Sequence, residues 1–279
     1  MLDFLQIDPI AVTLPIGDGF PIYWYGIIIT VGIALGAWWA GREIDRRGHD
    51  VDELYNALLI VVLVGFICAR LWYVLQDMLA NNVDYTLFEA INLRAGGANI
   101  LGGFIGASIV AYLYILWRRL PFWDYADVAG PALLIAQGIG RWGNFINQEL
   151  YGPPTDLPWG IKIAGQAPDV RFHPTFLYES LWLLIGFFLL VFLNNRYRDT
   201  WRSGTLFGLF MIWWGGGRTW IEFFRPDQPN IGESALTYSM MLALIFALVG
   251  VGILLYRYDR LPLNNRRRRV TKPKPKRES

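Results

Sequence analysis

Residues 54–77 read LYNALLIVVLVGFICARLWYVLQD. No charged residue interrupts the run before Arg70. As a helix rising 1.5 Å per residue it extends about 36 Å, enough to cross roughly 30 Å of hydrocarbon. A strand of a soluble domain would end after about 4–8 residues. The run is therefore read as a membrane span. Comparable apolar runs lie at 22–41, 98–117, 125–140, 175–193, 204–223 and 236–256. The fourth is the most polar, holding Asp127, Gly130 and Pro131. Composition agrees. Of 279 residues only 17% are charged, against about 25% in soluble domains.

The sequence thus predicts an all-α integral membrane protein with seven transmembrane helices. Lys and Arg set its orientation. With the N-terminus outside, the inner segments 42–53, 118–124, 194–203 and 257–279 carry most of the 25 basic residues. The outer segments carry only Arg94, Arg141, Lys162, Arg171 and Arg225. Residues 1–256 form the expected membrane domain. Residues 257–279 form a basic cytoplasmic tail, with Arg266 to Arg269 followed by alternating Lys and Pro. Such a tail is expected to be disordered and to rest on anionic lipid headgroups; binding to nucleic acid is not expected. Residues 1–20 hold Asp3, Asp8 and Asp18 and no basic residue, a pattern that predicts no cleavable signal peptide. Residues 141–174 are too long for a tight turn and predict a small extracytoplasmic cap. Small residues spaced by four (Gly32 and Gly36, Gly102 and Gly106, Gly204 and Gly208) predict close helix packing.

Cys68 is the only cysteine, and His49 and His173 are the only histidines. Internal disulfides are excluded, and no metal site is expected. Ionisable side chains in apolar helices are functional candidates. The stretch from Gly140 to Gly152 offers Arg141, Glu149, three amides and three glycines. Arginine forks match phosphodiester oxygens, amides suit glycerol hydroxyls, and glycine admits a headgroup close to the backbone. A snorkelling arginine at a helix end gives the same residue types. In Gly215 to Pro226, Arg218 and Glu222 are spaced i,i+4, and Arg225 is expected to continue their face. An anion site and an internal ion pair both fit. His173 enters the fifth span, with Glu179 inside it; a base and a structural hydrogen bond both fit this histidine.

The run Gly140 to Gly152 resembles the signature of the prolipoprotein diacylglyceryl transferases of bacteria. The resemblance extends through Trp24-Tyr25-Gly26, Ala69-Arg70-Leu71, Gly102-Gly103, His173-Pro174, Leu177-Tyr178-Glu179, Arg218 and Glu222-Phe223-Phe224-Arg225. It implies an enzyme of the bacterial cytoplasmic membrane. Such an enzyme moves the diacylglyceryl group of phosphatidylglycerol onto the lipobox cysteine of a prolipoprotein signal peptide. A thioether forms, glycerol 1-phosphate leaves, and no cofactor takes part. By resemblance Arg141, Arg218 and Glu222 are catalytic candidates. Tyr25, Asn144, Glu149 and Gly152 join the two arginines in lipid binding, and His173 is a possible base. Leu101 and Tyr23 stand where many relatives have histidine, which leaves the base open. A lipid transporter or scramblase, or a lipid-binding paralogue without turnover, are the alternatives.

Overall fold

Asp50, Asn99 and Thr237 each turn a side-chain oxygen onto the first amides of an apolar helix, at 2.8 to 3.1 Å. These caps satisfy donors that the start of a helix leaves open. A computed structural model of the protein describes residues 7–16, 19–92, 96–225 and 236–260. Of the tail expected to be disordered, 257–279, residues 257–260 instead close the last helix, and 261–279 lie outside the described residues.

The elements run β1 (Ile10–Leu14), β2 (Phe20–Tyr23), α1 (Trp24–Arg46), α2 (Val51–Asn81), α3 (Leu87–Ile91), α4 (Ile100–Trp117), α5 (Phe122–Ile146), α6 (Thr175–Tyr197), α7 (Thr205–Ile221) and α8 (Tyr238–Arg257). A 3-10 turn, Glu222–Phe224, follows α7. Among these, α1, α2, α4, α6 and α8 are long and apolar enough to cross a membrane. The fourth and sixth expected spans are helices too, with different limits. Helix α5 runs from Phe122 to Ile146, well past the expected 125–140, and includes Asp124, Asp127, Arg141 and Asn144. Helix α7 has 17 residues.

The β1–β2 hairpin departs from the all-α expectation. Its strands pair antiparallel, with Leu14 opposite Phe20 and Thr13 opposite Pro21. β-Branched and aromatic residues favour strands, and here they occur in pieces too short to be told from the start of a span.

The helices bury charge and expose apolar surface. Glu43, Arg70, Asp127, Glu179 and Glu222 are buried, while Leu63, Phe104, Phe188 and Leu248 are exposed. That inversion suits a hydrocarbon solvent, where ionisable groups face the protein interior.

Two compact units are formed. One comprises residues up to Ala40 and from Ala126 onward; the other comprises Gly41–Tyr125. In the second, α2 packs along α4. Gly102 lies against Trp72 there, and Gly106 against Cys68, so the cysteine is a packing residue. His49 and Asp124 meet at 2.9 Å beside Arg47.

In the first unit α7 packs on α6 and α8. Gly32 and Gly36 of α1 face the backbone of α5, where an added Cβ would lie 2.8 Å from the Ala136 carbonyl oxygen and 2.7 Å from that of Ala132. Gly208 packs on Leu254 and Gly250. Gly204 does something else. It starts α7 at φ 93°, a left-handed conformation that glycine adopts without strain. Asp127 of α5 reaches this start, accepting from the amides of Gly204 and Phe207, both at 2.8 Å. The carboxylate that helps make the fourth run the most polar thus caps a neighbouring helix.

The loop between α5 and α6 has its own small core. Ile161, Ile163, Phe172 and Phe176 cluster with Phe145 and Tyr151 packed against them. Phe172 and Ile161 exchange two backbone hydrogen bonds, at 3.0 and 2.8 Å.

Candidate active site

The last turn of α5 carries the first half of the signature. Arg141 and Asn144 are three residues apart, so they share a helix face, and an Arg141 Nη donates to Asn144 Oδ1 at 3.4 Å. The chain then turns sharply. Gln148 and Leu150 adopt left-handed φ of 53° and 56°, and the Glu149 amide donates back to the Asn144 carbonyl at 3.0 Å. This fold-back brings the Glu149 carboxylate onto Asn144 Nδ2, which donates to it at 2.8 Å. Arg141, Asn144 and Glu149 therefore form one hydrogen-bonded row.

Two glycines of the signature are close-approach points. Gly143 lies under the ring of Tyr25, where a Cβ would collide with it. A Cβ on Gly152 would lie 2.8 Å from the His173 Cβ and 2.9 Å from the Phe224 carbonyl oxygen. Tyr25, at the start of α1, is thereby held at the end of α5, within electrostatic reach of Glu149 and Arg141.

The centre of the arrangement is Glu179 of α6. Its Oε2 lies 2.5 Å from an Arg141 Nη, and its Oε1 lies 3.5 Å from an Arg218 Nη. One carboxylate joins the two arginines singled out in the sequence. Arg218 is held further by Glu222 at 2.9 Å and donates through Nε to Ser239 Oγ at 3.0 Å. Thr237 Oγ1 donates to Glu222 at 2.7 Å. The acids are the more deeply buried partners. Side-chain exposure is 7% for Glu179 and 0% for Glu222, but 25% for Arg141 and 15% for Arg218. Each guanidinium has five N–H donors, more than these contacts use. An anion with several oxygens fits that geometry.

The pairing depends on the register of α6 against α7, which a tryptophan pair fixes. Trp182 and Trp213 stack with ring centroids 4.4 Å apart. Each donates its indole N–H to the other's carbonyl oxygen, at 3.1 and 3.0 Å. Each ring also lies on a glycine of the opposite helix, Trp182 on Gly217 and Trp213 on Gly186. Trp142 adds a tie between α5 and α6, donating to Ser180 Oγ at 3.1 Å; Ser180 donates in turn to the Gly138 carbonyl at 2.8 Å.

Other expected residues lie differently. Arg225 does not continue the Arg218–Glu222 face as a helical neighbour. The helix tightens into the 3-10 turn and Arg225 follows it, where it still acts electrostatically on Arg218. His173 contacts Tyr178 through Nδ1 at 3.1 Å, and its ring meets Phe224 edge-on. Trp159 donates to the Tyr178 hydroxyl at 2.8 Å. Leu101 is in the first turn of α4 and Tyr23 ends β2. Sequence reasoning noted Glu179 without placing it at the centre. The available signal was a lone carboxylate in an apolar run, Phe176 to Leu193, with no other charge.

Against known proteins, residues 9–256 match the family model for prolipoprotein diacylglyceryl transferase. The chain belongs to the prolipoprotein diacylglyceryl transferase family. A Bacillus cytotoxicus protein named phosphatidylglycerol–prolipoprotein diacylglyceryl transferase is 39% identical over 251 residues, covering 86% of this chain and 89% of that protein. Proteins of the same name from Bacillus cereus and Bacillus mycoides are also 39% identical, with the same coverage. In this family member, then, the signature stretch forms the Arg141–Asn144–Glu149 row, and the carboxylate that joins the row to α7 comes from α6.

Proposed function

We propose that this protein transfers the diacylglyceryl group of phosphatidylglycerol to the lipobox cysteine thiol of prolipoproteins, forming a thioether and releasing glycerol 1-phosphate. The observation that carries the reading is the guanidinium pair, Arg141 and Arg218, held on the single buried carboxylate of Glu179. In the reaction a sulfur–carbon bond forms at the diacylglyceryl carbon that bears the phosphate. The bond from that carbon to the phosphate ester oxygen breaks, and its electron pair stays on the oxygen. The thiol proton leaves to a base or to water. A phosphodiester with one negative charge becomes a monoester that gathers a second. Fixed guanidiniums beside that oxygen lower the barrier because their dipoles need no reorganisation as the charge develops.

The remaining residues support this chemistry. Glu179 and Glu222 hold the arginine forks in place and leave their outer donors for phosphate. Asn144 and Glu149 offer amide and carboxylate groups to glycerol hydroxyls. Tyr25 closes the same end, and Gly143 and Gly152 permit the close packing that brings these groups together. His173 is the one histidine near this chemistry. If Tyr178 accepts from Trp159 and donates to Nδ1, the ring proton stays on Nε2, and His173 orders the cap rather than taking the thiol proton. A thiol of pKa about 8.5 needs only modest activation. The balanced reaction requires no redox step, metal or organic cofactor.

The basic-residue asymmetry supports seven spans, α5 and α7 included, with the N-terminus outside and the tail inside. The site and the loop between α5 and α6 then lie on the outer side of the bacterial cytoplasmic membrane, where secreted prolipoproteins arrive. Both substrates come from the bilayer.

The test is to mix the purified protein with phosphatidylglycerol and a synthetic lipobox peptide and to weigh the peptide. A diacylglyceryl mass gain on the cysteine peptide, absent from a serine-substituted control, is expected. Binding of phosphatidylglycerol without any gain would overturn the reading in favour of lipid binding or transport.

A further inference from the structure

The folded loop between α5 and α6 forms a partly open cavity of about 260 Å³ against the end of α5. At about 30 Å³ per water, it has room for a ligand of several waters' bulk, such as a three-carbon polyol phosphate. It is far too small for an acyl chain. Its floor is apolar, with Phe145, Ile161, Ile163 and Phe176. Its polar lining includes Asn144, Glu149, Tyr151, Lys162 and Gln166.

The polar lining offers both donors and acceptors. Glu149 Oε1 takes hydrogen bonds from Asn144 at 2.8 Å and Asn147 at 3.4 Å. An ionised carboxylate offers about four lone-pair sites, so Glu149 retains capacity for hydroxyl donors. Gln166 Nε2 donates to the Tyr151 hydroxyl at 3.0 Å. That leaves the Gln166 carbonyl oxygen to accept and the Tyr151 O–H to donate. Such mixed pairs recognise hydroxyls, which both give and take. Lys162 is the one cation of the lining and the only lysine before the C-terminal tail. Hydrogen bonds tie the cavity wall to the arginine site: Arg141 donates to Asn144, and Asn144 donates to Glu149.

We infer that this cavity is a binding site for a glycerol phosphate moiety, with Lys162, Tyr151 and Gln166 as contact residues beyond the signature. The inference rests on the transferase reading, which supplies the moiety in two forms. It is the headgroup of the intact phospholipid before the carbon–oxygen bond breaks, and the free product afterwards. A phosphate on Arg141 has its terminal glycerol within one side chain's reach of the cavity wall. Once cut from its acyl chains, the product is too polar for the bilayer and has this chamber beside it.

The experiment is inhibition of transfer by added sn-glycerol 1-phosphate, in wild type, Lys162→Met and Ala164→Leu, the last adding bulk to the cavity wall. The wild type is expected to be inhibited competitively with phosphatidylglycerol. Each variant is expected to raise the inhibition constant for free glycerol phosphate, or the KM for phosphatidylglycerol, at least fivefold. A rise in the inhibition constant alone marks the free product as the occupant, and a rise in KM alone marks the headgroup; either upholds the site. A wild type that transfers normally while both constants stay unchanged in both variants overturns it. If the wild type makes no thioether, the transferase reading fails, and titration calorimetry of sn-glycerol 1-phosphate on the purified protein tests the cavity by itself. Binding weakened fivefold by Lys162→Met upholds the site, and binding equal in both proteins, or absent from both, overturns it.

Discussion

Arginine is buried in one region of this molecule and only partly buried in another, and the two use it in opposite ways. Arg70 of α2 is 2% exposed. Its guanidinium is spent on neutral backbone: it donates to the carbonyls of Gly96, Gly97 and Glu89 and lies over the rings of Tyr73 and Tyr85. Tyr85 is bound to Asp77, whose hydrogen bond pushes the phenol up to about 12. That link persists through any physiological pH. Arg141 and Arg218 face carboxylates instead and remain more exposed, at 25% and 15%. Burial of an arginine is therefore not the sign of a site. A site needs a fixed guanidinium whose remaining donors an incoming anion can reach.

The contrast breaks first at Arg141. Arg141→Lys keeps the charge and loses the planar fork. Transfer should fall on the order of a hundredfold, as when an oriented donor to a developing anion is removed. The thermal midpoint should stay within a few degrees; a large drop would place Arg141 with Arg70 as a structural arginine.

Glu179→Gln sharpens it next. The amide is nearly isosteric, but its single carbonyl oxygen can accept from only one arginine, its NH2 meets the other donor to donor, and it no longer holds either by charge. Transfer should drop roughly tenfold, as for other residues that orient active groups. Wild-type turnover in this variant would show that the carboxylate is not needed to set the arginine pair.

Trp182→Phe tests the α6–α7 register. It removes one of two reciprocal hydrogen bonds, worth about 1 kcal/mol. A loss of about threefold in kcat, with KM for phosphatidylglycerol little changed, is expected. A change confined to thermal stability would make the tryptophan pair packing alone.

The smallest effect lies beside Arg70. Thr86 and Glu89 cap each other at α3, and the hydrogen bonds from Thr86 hold the Glu89 carboxyl below its usual range. A depressed carboxylate pKa stabilises the fold above the unfolded value, and that contribution is lost as pH falls through the folded value. Amide exchange in α3 should accelerate below about pH 4, while exchange at the arginine pair does not follow it.

Much of this was legible in the chain. Arg141, Asn144 and Glu149 share a few residues of sequence, and Arg218 and Glu222 share a helical face, so local spacing brings them together. Glu179 was visible as a lone acid in an apolar run, but its partners come from α5 and α7, and only tertiary packing shows that it joins them. The sequence places the end of α5 too early because Arg141 and Asn144 look like a helix boundary until their partners are known. Asp127 looked like a defect in a span for the same reason, since the amides it caps belong to α7. The β1–β2 hairpin escaped because its strands are short. Arg225 was placed on the α7 face by a 3.6-residue period that the chain abandons at Glu222.

The most direct test of the account measures transfer rate and thermal midpoint on parallel preparations of Arg218→Lys and Arg70→Lys. A crossing is expected. Arg218→Lys should lose most transfer at a nearly native midpoint, and Arg70→Lys should melt earlier while its folded fraction still transfers. Equal loss of transfer per folded molecule in both, or full transfer by Arg218→Lys, would contradict the claim that the arginine pair on Glu179 is where the phosphate is cut free.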